Sequence, residues 1–571
     1  MSRIGYHRGE SAQNNVTMFL EELAARDPGQ VVFYWVELET KKAWSYEPLA
    51  PLEHAKIERG PFAEQIKRTA TGLSRLGLTK GERVILFIPM SPQLYVLMAA
   101  VQRIGAIPVF LDSWARRDQL GASAEMVTPR ALISFEMAFQ LCAAVPELAS
   151  IPIKVSVGPT QSRYTASFEE LLAEEPTQPV VPVAQEDTGL ITFTTGSSGR
   201  PKGANRTHRF LAAQHYAIDA CIPYTAGDVD LPVFPVFSLN NIAAGVSTVL
   251  PAFDVGTPGQ NDAVTLFAQL RSCDVTCTTL NPFLLRALAA YCEEKELSMP
   301  GVRRMVTGGA PISRDDLINI TAVAPKADVW VFYGSTEVEP MAHIEAKEMI
   351  GFKSRASEDP ELVDEGVNVG HFAEGLRYKF LKLHPDPITV GSAEDWSQLE
   401  VARGEVGELI VAGEHVCRDY YNFPEAFERS KILDVDGTVW HRTGDMCRLD
   451  ERGYLWMVGR VHNTIRRAGS YCFPVRAEII LSRLPFAKHA AYLGVPDKEL
   501  GERTVGVIVP KEPQDEATMK AWRAEVERVM AKNDVPLDAL LFRDEIPMDP
   551  RHHSKVEYNV LREQLAREGL V

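Results

Sequence analysis

The run Thr194-Thr195-Gly196-Ser197-Ser198-Gly199-Arg200-Pro201-Lys202-Gly203 concentrates hydroxyls, glycines and two cations in ten residues. Glycine lets backbone N–H groups close on an anion, the hydroxyls add donors, and Lys202 adds a mobile charge. That is chemistry for holding a polyphosphate. It is not a Walker A loop, because GxxxxGK[ST] would need a glycine where Pro201 stands. The run follows Leu190-Ile191-Thr192-Phe193, which reads as a buried strand. A strand feeding a glycine-rich turn is a common phosphate position in α/β proteins.

The elements around this run read as strand, helix, strand. Residues 62–80 predict an amphipathic helix ending at Gly77, and Arg83 to Phe87 a β-branched and aromatic strand. Leu94 to Arg103 predicts a helix and Ile107 to Leu111 a strand. Strand-like runs recur at Ala131–Phe135, Val275–Leu280, Arg304–Thr307 and Val329–Phe332. The alternation predicts an α/β fold with parallel doubly wound sheets. Residues 355–400 read as irregular and charge-rich, whereas 405–413 and 454–458 read as strands of a small β region. The block from Arg466 to Val571 alternates helix and strand in a length that suits a small α+β domain. The expected division is therefore a large N-terminal domain, 1–459, and a small, mobile C-terminal lid, 460–571.

Composition bounds the function classes. The chain has 571 residues, 45% hydrophobic and 24% charged, which predicts a globular protein of at least two domains. A formal net charge of −16 argues against non-specific binding to nucleic acid or anionic membranes. The eight cysteines are scattered, with only Cys273 and Cys277 close together, so no zinc pattern forms and a reducing compartment is expected. No apolar leader and no membrane-spanning apolar run is present, so a cytoplasmic location without stable membrane insertion is expected.

Further motifs lie downstream of the glycine-rich run. They are Thr307-Gly308-Gly309-Ala310-Pro311, Tyr333-Gly334-Ser335-Thr336-Glu337, Tyr420-Tyr421-Asn422, Arg442-Thr443-Gly444-Asp445, Gly459-Arg460, and a tail Asp549-Pro550-Arg551-His552-His553-Ser554-Lys555. In this order, over roughly residues 65–560, they resemble the adenylate-forming superfamily of acyl-CoA synthetases, luciferase and peptide-synthetase adenylation domains. The resemblance implies that Thr194 to Gly199 and Lys202 cradle phosphates, and that Gly308, Gly309, Ala310 and Pro311 line the adenine pocket. It implies that Tyr333, with Gly334 and Ser335 beside it, stacks on adenine, that Thr336 donates to the α-phosphate and that Glu337 holds Mg²⁺. It makes Asp445 the ribose carboxylate, with Arg460 nearby, and Lys555 the bridge between the acid substrate and the α-phosphate. Tyr420-Tyr421-Asn422 reads as structural support. The implied reaction is attack of a carboxylate on the α-phosphorus of ATP, giving an acyl-AMP and pyrophosphate. Lys202, Thr336, Glu337 and Lys555 are its catalytic candidates.

Several positions depart from the superfamily pattern. Ser238 stands at the position of a common pocket histidine, after Phe237. The hinge reads Gly459-Arg460-Val461-His462 where Gly-Arg-x-Asp is usual, and the following Ile-Lys pair is Ile465-Arg466. The stretch Gly469 to Glu478 is longer than usual, and Lys555 follows His553-Ser554 rather than Ser-Gly. These departures touch the second half-reaction rather than adenylation. They resemble the olefin β-lactone synthetase branch, as do Val229 to Pro235, the insertion Ala393 to Gln398 and the Arg551-His552-x-x-Lys555 tail. That branch implies a 2-alkyl-3-hydroxy fatty acid, adenylated and then cyclised with loss of AMP. His462 is a candidate base for that step, or a packing residue of the hinge.

The expected cofactors are ATP and Mg²⁺, with CoA left open. The expected partner is a small carboxylic acid, not nucleic acid. Phe237, Ser238, Asn240 and Gly308 are the candidate acyl-pocket residues. An acyl-CoA ligase, an acyl-AMP ligase loading a carrier protein, and a non-catalytic nucleotide-binding paralogue stand as alternatives. Oligomeric state, pathway partner enzymes and the role of Cys472 are open at this level.

Overall fold

The computed structural model describes residues 9–111, 116–195, 200–257, 259–354, 359, 361–512, 515–548 and 556–569. Gly196 to Gly199, His552, His553 and Lys555 therefore lie outside the described residues, and Thr194 and Thr195 are placed as strand backbone.

Three sheets organise the chain among the described residues. The first has seven strands, with Arg83–Phe87 between Ala131–Ser134 and Ile107–Phe110 in parallel register, Val84 opposite both Ala131 and Pro108. Its strands are continuous apolar runs because helices cover both faces; Val84 and Ile85 are wholly buried. The helix Arg59–Arg75 packs there through Phe62, Ile66, Ala70 and Leu73. It stops two residues before Gly77, whose φ of +88° allows Leu78 N–H to bond back to Leu73 O at 3.2 Å. The helix Pro92–Arg103 starts on Ser91, whose hydroxyl accepts from Leu94 N–H at 3.3 Å, with Pro92 in its first turn.

The second sheet has fourteen strands. Its parallel half runs through Ser247–Val249, Val229–Pro232, Cys277–Leu280, Arg304–Gly308 and Asp328–Ser335. At Asp328–Ser335 the pairing turns antiparallel to Val338–Glu345, and the sheet continues through Val367–Phe372, Leu455–Arg460, Val439–Leu449, Gly407–Ala412 and Arg377–Leu381. The small β region read from the sequence is thus the antiparallel end of this sheet. Residues 355–400, expected to be irregular, supply the strands Val367–Phe372 and Arg377–Leu381; the latter is a largely exposed edge strand whose charged side chains hide its periodicity. The third sheet, of five strands, is built from residues 465–542 and carries its own core around Tyr492, Ile508 and Val526.

The glycine-rich run does not lead from strand to helix. The chain returns as an antiparallel strand, Pro201–Thr207, with Thr194 opposite Lys202. All eight cysteines are free; Cys142, Cys277, Cys292, Cys417 and Cys447 are buried. Burial pushes the Cys472 thiol up, which disfavours a thiolate role. No described helix is long and apolar enough to cross a membrane.

One buried histidine gives the fold an acid limit. His208 is 1% exposed and its Nδ1 accepts from Val16 N–H at 3.3 Å. Burial pulls it down to about 4, with Asp187 opposing and Lys80 assisting. The unfolded chain then binds more protons below pH ~6.5, so stability falls as pH drops, by about 3 kcal/mol at pH 4. Urea midpoints are expected to fall from pH 7 to pH 5, and His208→Gln to flatten that slope. An identical slope in the variant would show that other groups set the acid limit.

Candidate active site

The open ends of the parallel strands in the second sheet face a cleft of about 1790 Å³. That exceeds a typical single-ligand pocket and suits two substrates side by side. Arg304–Gly308 ends in Gly309, at φ +81°, and Ala310-Pro311. Gly308 is fixed by packing: a Cβ there would lie 2.4 Å from Phe332 O. On the facing side, Tyr333, Gly334, Ser335, Thr336 and Glu337 occupy the bend between the paired strands Asp328–Ser335 and Val338–Glu345.

Glu337 is the electrostatic centre of the site. Its Oε1 accepts from Tyr420 OH at 2.8 Å, and its backbone carbonyl accepts from Cys417 N–H at 2.7 Å. Burial alone would raise the carboxyl, but His441, Lys431 and the Tyr420 hydroxyl outweigh it and hold it below its ordinary value. Lys431 is 2% exposed; its Nζ donates to Cys417 O and lies 3.2 Å from His441 Nδ1. Burial and Lys431 push His441 down to about 3, with Glu337 opposing. Lys202 reaches the same cluster, with Nζ 3.5 Å from Ser430 Oγ and 5.6 Å from the Tyr420 ring centroid. Arg206 Nη2 donates to Thr336 O at 2.8 Å.

The Tyr420 segment is more than support. It pins the hairpin that bears the glycine-rich run, through Tyr421 N–H to Gly203 O at 2.8 Å and Asn205 N–H to Asp419 O at 3.1 Å, while Tyr420 reaches Glu337. Lys431 and His441 face each other across adjacent strands. Tyr420, Lys431, His441 and Arg206 were not singled out as site residues from the sequence. Lys431, His441 and Arg206 lie in no local motif, and the motif that holds Tyr420 gives no sign of its bond to Glu337, which tertiary pairing sets.

A second polar centre lies at Asp445, 4% exposed. Its Oδ2 accepts from Tyr333 OH at 2.5 Å and its Oδ1 from Arg460 Nη1 at 2.5 Å. Asp445 and Arg460 are cross-strand partners, and Thr443 Oγ1 receives Asp445 N–H at 3.1 Å. The chain leaves this pair through a short 3₁₀ turn, Val461–Asn463. His462 lines the cleft there, and burial together with Arg460 and Arg562 lowers it to about 4. Opposite, Glu478 also lines the cleft, where burial pushes its carboxyl up to about 8.

The acyl-pocket candidates separate. Phe237 and Gly308 line the cleft with Phe234 and Phe332. Ser238, on the helix Pro235–Ala244, is wholly buried and does not line the cleft. Asn240 lines a separate apolar cavity of about 90 Å³ and receives His215 Nδ1 at 2.8 Å. Glu339, absent from the sequence candidates, lines the cleft near Arg206; burial pushes it up to about 7 while Arg206 opposes.

The donor set can be tested for Mg²⁺. Among the described residues no cluster of three or more acidic, histidine or cysteine ligands could form a cage. A single anionic carboxylate at Glu337, with Lys202 near it, fits the way Mg²⁺ is bound through one or two carboxylates plus substrate phosphates.

Comparison with known proteins accords with this geometry. The family model for AMP-binding enzymes matches residues 53–421, and that for their C-terminal domain matches 477–552. The chain is 29% identical over 510 residues to an olefin beta-lactone synthetase of Stenotrophomonas maltophilia, covering 87% of this chain and 88% of the relative. It is 25% identical over 516 residues to 4-coumarate--CoA ligase 3 of rice (Oryza sativa subsp. japonica), covering 88% and 86%. The fold superposes on the anthranilate CoA ligase AuaEII bound to anthranoyl-AMP with a TM-score of 0.78 at 18% identity, covering 98% of each chain. The strand ends, the Glu337 cluster and the Asp445 pair fall within or directly after the matched stretch, and the chain belongs to the AMP-binding enzyme family as an AMP-forming, adenylate-forming ligase.

Proposed function

We propose that this ligase activates a 2-alkyl-3-hydroxy fatty acid as its acyl-AMP and closes it to a β-lactone. The observation that carries the reading is a complete adenylation set beside a hinge that reads Val461-His462 rather than x-Asp. The olefin beta-lactone synthetase relatives support it.

In the first step the substrate carboxylate oxygen bonds to the α-phosphorus, and the bond to the bridging oxygen breaks so that pyrophosphate leaves. Catalysis here is positioning and charge neutralisation. The glycine-rich run (Thr194 to Gly199) and Lys202 hold the phosphates, Thr336 donates to the α-phosphate, and Lys555 bridges to the acid. Glu337 is the residue that would hold Mg²⁺, which supplies charge neutralisation to the phosphates when bound. Gly309, Ala310, Pro311 and Tyr333 border the adenine, and Asp445 with Arg460 receives the ribose. In the second step the 3-hydroxyl oxygen bonds to the acyl carbon, AMP departs with the bonding pair, and the hydroxyl proton is released. Tethering the nucleophile gives an effective molarity on the order of 10⁵ M or more when aligned. No CoA is consumed. His462, lowered to about 4, is neutral at pH 7 but a weak base, which favours a packing role at the hinge. Residues 460–571 act as the lid over the cleft.

The deciding experiment incubates the enzyme with ATP, Mg²⁺ and a 2-alkyl-3-hydroxy fatty acid, with and without CoA, and identifies products by mass spectrometry and NMR. A β-lactone without CoA is expected. An acyl-CoA formed only with CoA would establish instead the acyl-CoA ligase reading, which the 4-coumarate ligase relative favours.

Asp445→Ala is expected to weaken ATP binding about 10- to 100-fold, the worth of hydrogen bonds to a buried charge. Calorimetric titration with ATP measures it. An unaltered dissociation constant would refute the ribose role.

A further inference from the structure

The small domain follows the large one through the turn Val461–Asn463, but a second attachment lies earlier in the chain. Residues 361–363 belong to the stretch matched to AMP-binding enzymes, 53–421, and Asn533 to the stretch matched to their C-terminal domain, 477–552. Asn533 is wholly buried, just beyond the helix Glu516–Lys532. Its Oδ1 accepts from Val363 N–H at 2.8 Å, and its Nδ2 donates to Glu361 O at 2.9 Å and to Val529 O at 2.9 Å. Arg476 Nε donates to Val363 O at 3.1 Å, and Arg483 Nη1 to Leu362 O at 3.5 Å. The side chain of Val363, 4% exposed, belongs to the small-domain core that holds Ile480, Val526 and Val529. At the rim Glu361 pairs with Arg528 at 2.7 Å and with Lys532, and Asp359 pairs with Lys532 at 2.7 Å.

Three successive carbonyls and one N–H of the large domain are thus satisfied by small-domain side chains, and an apolar side chain is desolvated beside them. Asn533 suits this geometry because its amide offers an acceptor and two donors in one plane. The same contacts bear on the cleft. Arg476 lies on the helix Pro474–Ser482 and Arg483 directly after it, and Val475, Glu478 and Ile479 of that helix line the cleft. The helix is therefore held both by residues 361–363 and by the sheet, where Val475 and Ile479 share an apolar cluster with Val367 and Met457. We propose that residues 361–363 are a strap that fixes the small domain over the cleft, so that it cannot swing on its hinge until Val363 leaves the core and Asn533 loses its partners. Exposed ion pairs alone would hold weakly. A buried amide and buried backbone groups left without partners make release costly. The strap acts whichever acid the enzyme takes, and it stands apart from the reading of the second step.

The test is hydrogen exchange, read by mass spectrometry, on the full-length wild type, Val363→Ser and Asn533→Ala. Both variants are expected to speed exchange about 10-fold or more in peptides covering the turn Val461–Asn463 and the helix Pro474–Ser482. The small-domain strand Gly501–Pro510 is expected to keep wild-type protection and so report an intact core. Asp359→Ala with Glu361→Ala removes the rim ion pairs and leaves the core untouched. It is expected to raise exchange in the same two peptides by about 2- to 5-fold, a difference that shrinks in added salt. Wild-type exchange at the turn and the cleft helix in Val363→Ser would mean that residues 361–363 ride with the small domain, and would overturn the strap. Should Val363→Ser also deprotect Gly501–Pro510, the ion-pair variant decides, and unchanged exchange there would overturn the strap equally.

Discussion

Glu337→Gln is expected to lower pyrophosphate release by about 10²- to 10³-fold, the range for losing one preorganised charge at a reacting centre. The geometry makes the loss double. On the proposed function the variant removes the anion at the phosphate end of the cleft, and it leaves the buried Lys431, facing Cys417 O and His441, without the Glu337 charge, Asp419 being the other carboxylate that acts on it. An unpaired buried cation destabilises the fold as well. Adding Lys431→Met to Glu337→Gln is therefore expected to recover the urea midpoint while pyrophosphate release stays low. Recovery of both would place Glu337 in the fold alone and remove it from the chemistry.

Arg442→Met, in the strand Val439–Leu449, is expected to destabilise the fold by about 3–5 kcal/mol. Arg442 and Glu408 have side chains 7% and 3% exposed, with Nη2 to Oε2 at 2.6 Å. The same guanidinium donates to Asp386 O at 2.9 Å and His384 O at 2.7 Å. Removing it leaves the Glu408 carboxylate unpaired in the interior and takes the donor from two part-buried carbonyls. The double variant Glu408→Met with Arg442→Met is expected to regain much of the loss, since an apolar pair leaves no buried charge unpaired. Urea unfolding of the single and double variants checks this. A single-variant loss below about 1 kcal/mol would mean that the strand relaxes and water reaches Glu408.

The strands were legible where burial on both faces makes the sequence continuously apolar. Arg83–Phe87 is bounded in the structure as the residues alone suggest. The helix expected over 62–80 spans Arg59–Arg75: it begins earlier because Gly60 and Pro61 fit a first turn, and ends earlier because Gly77 turns left-handed. Edge strands such as Arg377–Leu381 were hidden by their charged faces. At the site, motif residues such as Gly309, Tyr333, Glu337 and Asp445 do come to one cleft. The contacts of Tyr420, Lys431 and His441 with Glu337 were not legible, because strand pairing and a loop crossing set them.

The return of the glycine-rich run as a strand at Pro201 has an electrostatic consequence. A loop that opens a helix borrows about half a unit of positive charge from the helix macrodipole, fixed in the backbone and beyond the reach of side-chain mutation. A hairpin has almost no such field, because strand dipoles alternate. On the proposed function, the polyphosphate is then held by loop N–H groups and hydroxyls without a helix dipole behind them, and a larger share of the attraction falls to discrete side-chain charges, Lys202 at the hairpin and Lys431 behind Tyr420. The proposed hold on the nucleotide is therefore expected to weaken on neutralising single residues such as Lys202 and to fall with added salt.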